Sequence, residues 1–294
     1  MTRRGLLLFA LLSLLWGIPY LLIKLAVAEV SVPFLVFART AVGALVLLPF
    51  ALAQGSFEWL KTQWLAVAAF CVVEMVLPWG LITHGEVSID SSTAGLLIAM
   101  TPAVTVALSK LMGSDERLGI RRWLGLFLGF AGVFVLALPT LGGGLLAVIE
   151  ILIAAACYAL GSIIASRWLN DVPASALTAV CLIGAAVIYA VPASQAWPTV
   201  MPSMTAVGAI VGLGVFCTAI AFATYFLLVR EIGPERAVVI TYVAPAVSVA
   251  AGVLVLSEPL DISILAAFAL ILCGSYLGTW RAAQEPSVSA STAS

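Results

Sequence analysis

Charge is what this chain has least of. Of its 294 residues only 9% are Asp, Glu, Lys or Arg and one is histidine, while 63% are hydrophobic and the mean hydropathy is +1.20. A soluble domain carries roughly 25% charge, so most of these residues must be solvated by lipid. The formal net charge of −1 leaves no basic surface for nucleic acid. Cysteine is sparse: Cys71, Cys157, Cys181, Cys217 and Cys273 sit in apolar runs without C-x-x-C spacing, which suits small buried thiols better than a disulfide framework or a metal site. There is no Gly-x-x-x-x-Gly-Lys-[Ser/Thr] run, hence no Walker-type nucleotide site. The single histidine, His84, with Asp90 and Ser91 nearby, is a poor start for a catalytic triad at a membrane edge. We expect no enzyme, no cofactor and no metal.

What is present is long apolar runs. A bilayer core takes about 20 apolar residues per helix. Breaks at charged, Gly/Pro and Asn/Asp clusters predict ten spans, near residues 5–27, 32–53, 63–83, 92–112, 120–138, 145–168, 174–193, 203–229, 236–256 and 261–280. The first run is too long for a signal peptide and lacks a small-residue cleavage site, so it reads as a span. With a cytoplasmic N-terminus, eleven of the thirteen Lys and Arg fall at the inner side, leaving Lys24 outside and Arg39 within the second span. That places both termini in the cytoplasm.

Two stretches match at a distance. "AGLLIAMTPAVTVALSK" holds Pro102 and "AVVITYVAPAVSVAAG" holds Pro245, 143 residues later. At the same offset Lys24 answers Arg167, Pro49 answers Pro192 and Thr105 answers Ser248; after a one-residue slip Glu116 answers Glu258. The expected fold is therefore an all-α membrane protein of ten transmembrane helices in two inverted five-helix repeats, 1–140 and 141–281, followed by a disordered tail at 282–294. Five being odd, the second copy enters the membrane from the opposite side. Inverted repeats are the architecture of alternating-access carriers with a site at the midplane between the halves; a channel and an intramembrane enzyme are the rival classes.

Candidate site residues follow from helical spacing. Pro102 leaves the Ile98 carbonyl without its helical donor and Pro245 does the same to Thr241, predicting paired hinges, with Pro78 as a third. Thr101, Thr105 and Ser109 form one polar stripe and Thr241, Pro245 and Ser248 another, suited to interhelical hydrogen bonds or to substrate. Trp16 and Tyr20 share a face, as do Tyr158 and Ser162. Glu74, mid-span, is the candidate coupling residue. Trp79 lies about 140° from it on an ideal helix, so one of the two is expected to miss the cavity unless Pro78 alters the angle. Lys24 is expected to snorkel, and Arg39 to pair with Glu29 or Glu150. "GLFLG" from Gly125 and "GSYLG" from Gly274 allow close helix packing within the bundle or between protomers.

The segments "WGIPYLLIK", "TAGLLIAMTPAVTVALSKLMGSDERL", "GLFLGFAGVFVLA" and "RAVVITYVAPAVSVAAGVLVLSEPL" resemble the drug/metabolite transporter superfamily in its EamA-type ten-helix branch, over essentially the whole chain. Within it the chain resembles YddG-like bacterial exporters of aromatic amino acids. The resemblance implies a multi-pass carrier of the bacterial inner membrane whose partners are a small-molecule substrate and the lipid bilayer. Few deep basic residues argue against sugar phosphates. Trp16, Tyr20, Trp79, Met100, Tyr158 and Tyr242, with the hydroxyls of Thr101, Ser162, Thr241 and Ser248, would form an apolar pocket with a few polar contacts. The expected substrates are neutral, especially aromatic, amino acids, or other small organic solutes or drugs.

Overall fold

The computed structural model describes residues 2–53, 57–112, 119–138, 143–233, 237 and 239–279. The expected tail at 282–294 and Glu116 lie outside them. Each apolar run closes its own backbone hydrogen bonds as a helix, which lipid demands of an open chain. The ten are α1 (Arg3–Val27), α2 (Val32–Ala53), α3 (Trp59–Ser88), α4 (Ser91–Leu111), α5 (Ile120–Ala137), α6 (Leu145–Trp168), α7 (Ala174–Gln195), α8 (Met204–Ile232), α9 (Ile240–Leu256) and α10 (Ile262–Gly278). Among the described residues the first eight are long and apolar enough to cross a membrane, and α9 and α10 are shorter apolar helices. Predicted ends agree within four residues except at α3, which runs on past 83 to Ser88. Large apolar side chains such as Leu45, Phe127 and Leu254 are exposed around the bundle, as a lipid-facing surface requires.

The two copies interlock. α2 packs on α7, α5 on α10 and α4 on α9, while α1 on α8 is matched by α6 on α3. Exchanging the copies maps this set of pairs onto itself, as a two-fold axis in the membrane plane does. The closest seam is α5–α10: a Cβ on Gly125 would overlap the backbone of Gly274 and Gly278, and one on Gly274 would overlap that of Gly125 and Gly129. The two glycine runs are thus used within the chain, where side chains would force the helices apart.

Four helices are interrupted. α1 breaks at Ile18, ahead of Pro19, and α4 at Ala99–Met100, ahead of Pro102. Thr101 donates its hydroxyl to the Ile98 carbonyl at 2.7 Å, satisfying the group that Pro102 leaves unpaired. α9 instead runs unbroken through Pro245, so the paired kinks expected of the two prolines differ in kind. The bond lost there falls in the first turn of α9, where little helix precedes the proline. α3 and α8 each contain a π-turn, at Val72–Val76 and Val215–Ile220, again 143 residues apart.

We call the end carrying Thr2 the terminal face and the other, with the connections at 28–31, 89–90, 196–203 and 257–261, the distal face. α4 and α9 meet only toward the distal face. Ser91–Leu97 is buried throughout and packs on α9, whereas α4 beyond Met100 turns to α6 and α10 and is mostly half-buried. The distal end of the interface between copies is sealed, and at the terminal end the first half of α1 packs on α8 and α9.

Candidate functional site

The π-turn in α3 builds the centre of the molecule. An extra residue in one turn rotates everything after it relative to an ideal helix. Glu74, inside that turn, and Trp79, just beyond it, consequently both face α6, the Glu74 carboxyl against Gly161 and the Trp79 ring in the cluster on which Tyr158 packs, so the two are not on opposite sides as an ideal helix would place them. Glu74 is half-buried with its carboxyl against Gly161, where any side chain would collide with it, and it accepts no hydrogen bond among the described residues. Pro78 is buried beside Trp79.

Arg39 reaches the same place from α2. Its guanidinium carbon sits 3.8 Å from the centre of the Trp79 ring and its Nε donates to Thr218 Oγ1 at 3.3 Å. Only 8% of the residue is exposed. It pairs with neither acid expected of it: Glu29 accepts from the Ser203 amide at 2.7 Å and hydroxyl at 2.5 Å, and Glu150 pairs with His84 at 2.8 Å. Among the described residues Arg39 has no ion pair. A buried guanidinium held by a ring face and one hydroxyl keeps donors to spare.

Aromatic rings enclose these charges. Trp16 of α1 lies 6.1 Å from Phe222 and 5.1 Å from Tyr225, both on α8. Phe222 and Tyr158 pack on the cluster that holds Trp79, and Tyr158 and Tyr20 share the next one. Four helices, α1, α3, α6 and α8, thus contribute Trp16, Tyr20, Trp79, Tyr158, Phe222 and Tyr225 to one region.

The remaining predicted residues go elsewhere. Met100 is fully buried against Gly129 of α5. Tyr242 of α9 donates to the Ser275 carbonyl at 3.2 Å and lines a groove with Leu272, Cys273 and Tyr276 on α10; its neighbour Thr241 lies in the first turn of α9. The Thr101, Thr105 and Ser162 hydroxyls donate to carbonyls of their own helices, which leaves only their oxygens to accept. Pro102 opens the second half of α4, away from the rings.

Ser248 belongs to a distal clasp. It donates to the Ser91 carbonyl at 3.2 Å, in a layer so close that a Cβ on Gly95 would overlap it. Above it Glu258, from the α9–α10 connection, accepts from the Ser91 amide at 2.8 Å, the Ser91 hydroxyl at 2.7 Å, the Ser92 amide at 3.0 Å and the Ser92 hydroxyl. A carboxylate at a helix N-terminus meets unpaired N–H groups and the positive end of the helix dipole. Burial raises the Glu258 carboxyl, and the four serine donors outweigh burial, holding it below the ordinary 4.5. Ser91 and His84, committed to Glu258 and Glu150, do not meet in a catalytic arrangement.

The profile of one protein family matches this chain twice, over residues 3–138 and 145–280, and its description reads EamA-like transporter family. The chain belongs to that family. Among its relatives, an uncharacterized transporter of Bacillus subtilis (strain 168), YvbV, is 28% identical over 278 residues, covering 92% of this chain and 90% of the relative. An uncharacterized inner membrane transporter of Escherichia coli (strain K12), YedA, is 29% identical over 249 residues, covering 83% and 80%. A solved structure described only as a crystal structure of protein has the same fold, with TM-score 0.68, 22% identity and 95% and 98% coverage. The two family matches coincide with the two interlocked copies.

In this EamA-like protein, sequence reading missed four residues of the central region and its surroundings. Phe222 was readable, since it is the counterpart of Trp79 at the 143-residue offset. Thr218 and Tyr225 flank it on α8. Glu86 lies beyond the predicted end of α3 at 83, yet the helix runs on to Ser88 and buries it fully. Lys24 does not snorkel: its ammonium donates to the Glu86 and Ile89 carbonyls at 2.7 and 2.8 Å, closing the C-terminal end of α3 as a cation there does.

Proposed function

We propose that this EamA-like protein is a secondary carrier that exports small neutral metabolites, uncharged and above all aromatic amino acids, by alternating access across a bacterial inner membrane. The observation that carries the reading is that Arg39, which has no ion pair among the described residues, lies on the Trp79 face, while the Glu74 carboxyl, which accepts no hydrogen bond among them, lies against Gly161 one turn from Tyr158, a ring packed on the same cluster as Trp79. A zwitterion complements that pair, its carboxylate toward Arg39 and its ammonium toward Glu74, while an apolar side chain takes the space among the rings. Net-charged solutes leave one site charge unmatched and face a desolvation cost. Glu74 is also the group we assign to proton coupling, since a carboxyl open to the cavity exchanges protons as well as ammonium groups.

The Lys and Arg distribution supports a cytoplasmic terminal face, and the relative YedA is described as an inner membrane transporter. In that orientation the sealed distal face is periplasmic. Purified protein in liposomes with labelled phenylalanine, with and without a proton gradient, tests the proposal. Phenylalanine, tryptophan, methionine and threonine should compete better than glutamate, lysine or a sugar phosphate. The opposite order refutes the assignment, and currents far above a carrier's turnover would make the protein a channel.

A further inference from the structure

Below the distal clasp lies a group that the substrate region does not use. Glu86, on the last turn of α3, has no exposed surface, and among the described residues neither of its carboxyl oxygens has a hydrogen-bond partner. The charges facing it are Lys24 of α1, Arg39 of α2 and Glu258 of the α9–α10 connection; the Tyr20 hydroxyl is within the same electrostatic neighbourhood, and Asp90 faces both Lys24 and Glu258. Among the described residues neither cation donates a hydrogen bond to the Glu86 carboxyl. Lys24 donates to the Glu86 and Ile89 carbonyls, and Arg39 to Thr218 and the Trp79 face. The facing acid, Glu258, is held as an anion by the Ser91 and Ser92 donors at the α4 N-terminus.

A buried carboxylate with no hydrogen bond and another carboxylate nearby is among the least tolerable arrangements in a protein. A neutral acid in that place costs far less. Glu86 has no exposed surface, so an organic cation does not reach it in this state. We propose that Glu86 is a proton-binding site linked to the distal gate, protonated while Glu258 clasps Ser91 and Ser92 and ionised when the clasp opens. Opening moves Glu258 away and admits water; the Glu86 proton passes to that water, and the carboxylate left behind is stabilised by Lys24. The sealed state holds one more proton than the open one, so acid on the distal side favours sealing, by up to about tenfold in the population ratio per pH unit.

The gate in this inference rests on the alternating-access reading, and the two fail separately: liposome flux decides the carrier, whereas the following measurements need no substrate. Infrared spectra of the purified protein should contain the carbonyl stretch of a buried carboxylic acid that is lost in Glu86→Gln and persists in Glu74→Gln. Spin labels on Ser88 and Leu260, both exposed on the distal side, should report a longer distance as pH rises. Glu86→Gln, a permanent mimic of the acid, should stay at the short distance as pH rises above neutrality, and Glu86→Asp should keep a response there. An acid band unchanged in Glu86→Gln, or a label distance with the same pH response in that variant as in the parent, would overturn the proposal.

Discussion

Replacing Glu258 with Gln tests the clasp most directly. The side chain keeps its length, but one acceptor oxygen becomes an NH2 group facing the serine donors. Of the four bonds to Ser91 and Ser92, about half are lost and the others lose their charge assistance. Charge-assisted bonds are worth about 1.5–3 kcal/mol and neutral ones about 1 kcal/mol, and the helix-dipole contribution of about 0.3–1 kcal/mol goes too. The serine hydroxyls can rotate to accept from the amide, and water solvates the same groups once the clasp opens. Together these offset part of the loss and leave a net weakening of about 2–4 kcal/mol, roughly a 30- to 1,000-fold shift from sealed to open. Spin labels on Ser88 and Leu260 would read it as the fraction at the longer distance, in a Cys273→Ser background because Cys273 is the exposed cysteine. The pH dependence has a definite sign. Because the Glu258 carboxyl is held below 4.5 in the clasp, its stabilisation is full above that value and lost as pH falls through the lowered one. Wild type should therefore unclasp in strong acid, while Glu258→Gln shows no transition there. A neutral-pH distance distribution identical in the two proteins would refute the reasoning.

Four further outcomes are expected. Arg39→Gln should lower discrimination between phenylalanine and phenethylamine in competition assays by about 10- to 100-fold, the worth of a charge-assisted carboxylate contact; unaltered discrimination would remove Arg39 from the site. Glu74→Gln should abolish proton-driven accumulation in liposomes and spare downhill exchange, and accumulation at the wild-type level would end its coupling role. Pro102→Ala supplies the N–H that Ile98 lacks and should straighten α4 and slow flux, more than Pro245→Ala does in the unbroken α9; equal effects would argue against a hinge at Met100. Gly125→Ala puts a methyl into the Gly274 and Gly278 backbone and should cost about 1–3 kcal/mol, measured as a lower detergent-unfolding midpoint, and a midpoint equal to wild type would show that the α5–α10 seam yields freely.

Much of the fold is legible in sequence because lipid enforces it. A run of apolar residues without charge has one stable form in a bilayer, so spans such as Val32–Ala53 and Leu145–Trp168 are read to the residue. The duplicated prolines betray the repeat. The site was less legible for three physical reasons. A π-turn has no side-chain signature, so the angle between Glu74 and Trp79 could not be derived from an ideal helix. Polar residues near the end of a span look like a loop, and "THGE" hid Glu86 although Lys24 covers the end of that helix from α1. Arg39 was assigned a carboxylate partner by habit of charge, whereas it rests on an aromatic face that only the packing of α2 on α3 supplies.

The two π-turns carry a record of descent. An inserted residue shifts the register of everything after it and is seldom acquired twice at one position, yet Val72 and Val215 open π-turns at the same place in both copies. Duplication of a five-helix unit that already held the bulge leaves both copies with it at one position. Such a duplicate starts with two identical halves. Fusion freed them to specialise: Glu74 now stands opposite Cys217, Trp79 opposite Phe222 and Arg39 opposite Leu182, so a once-symmetric cavity acquired a positive and a negative side, and with them a preferred way round for whatever it holds.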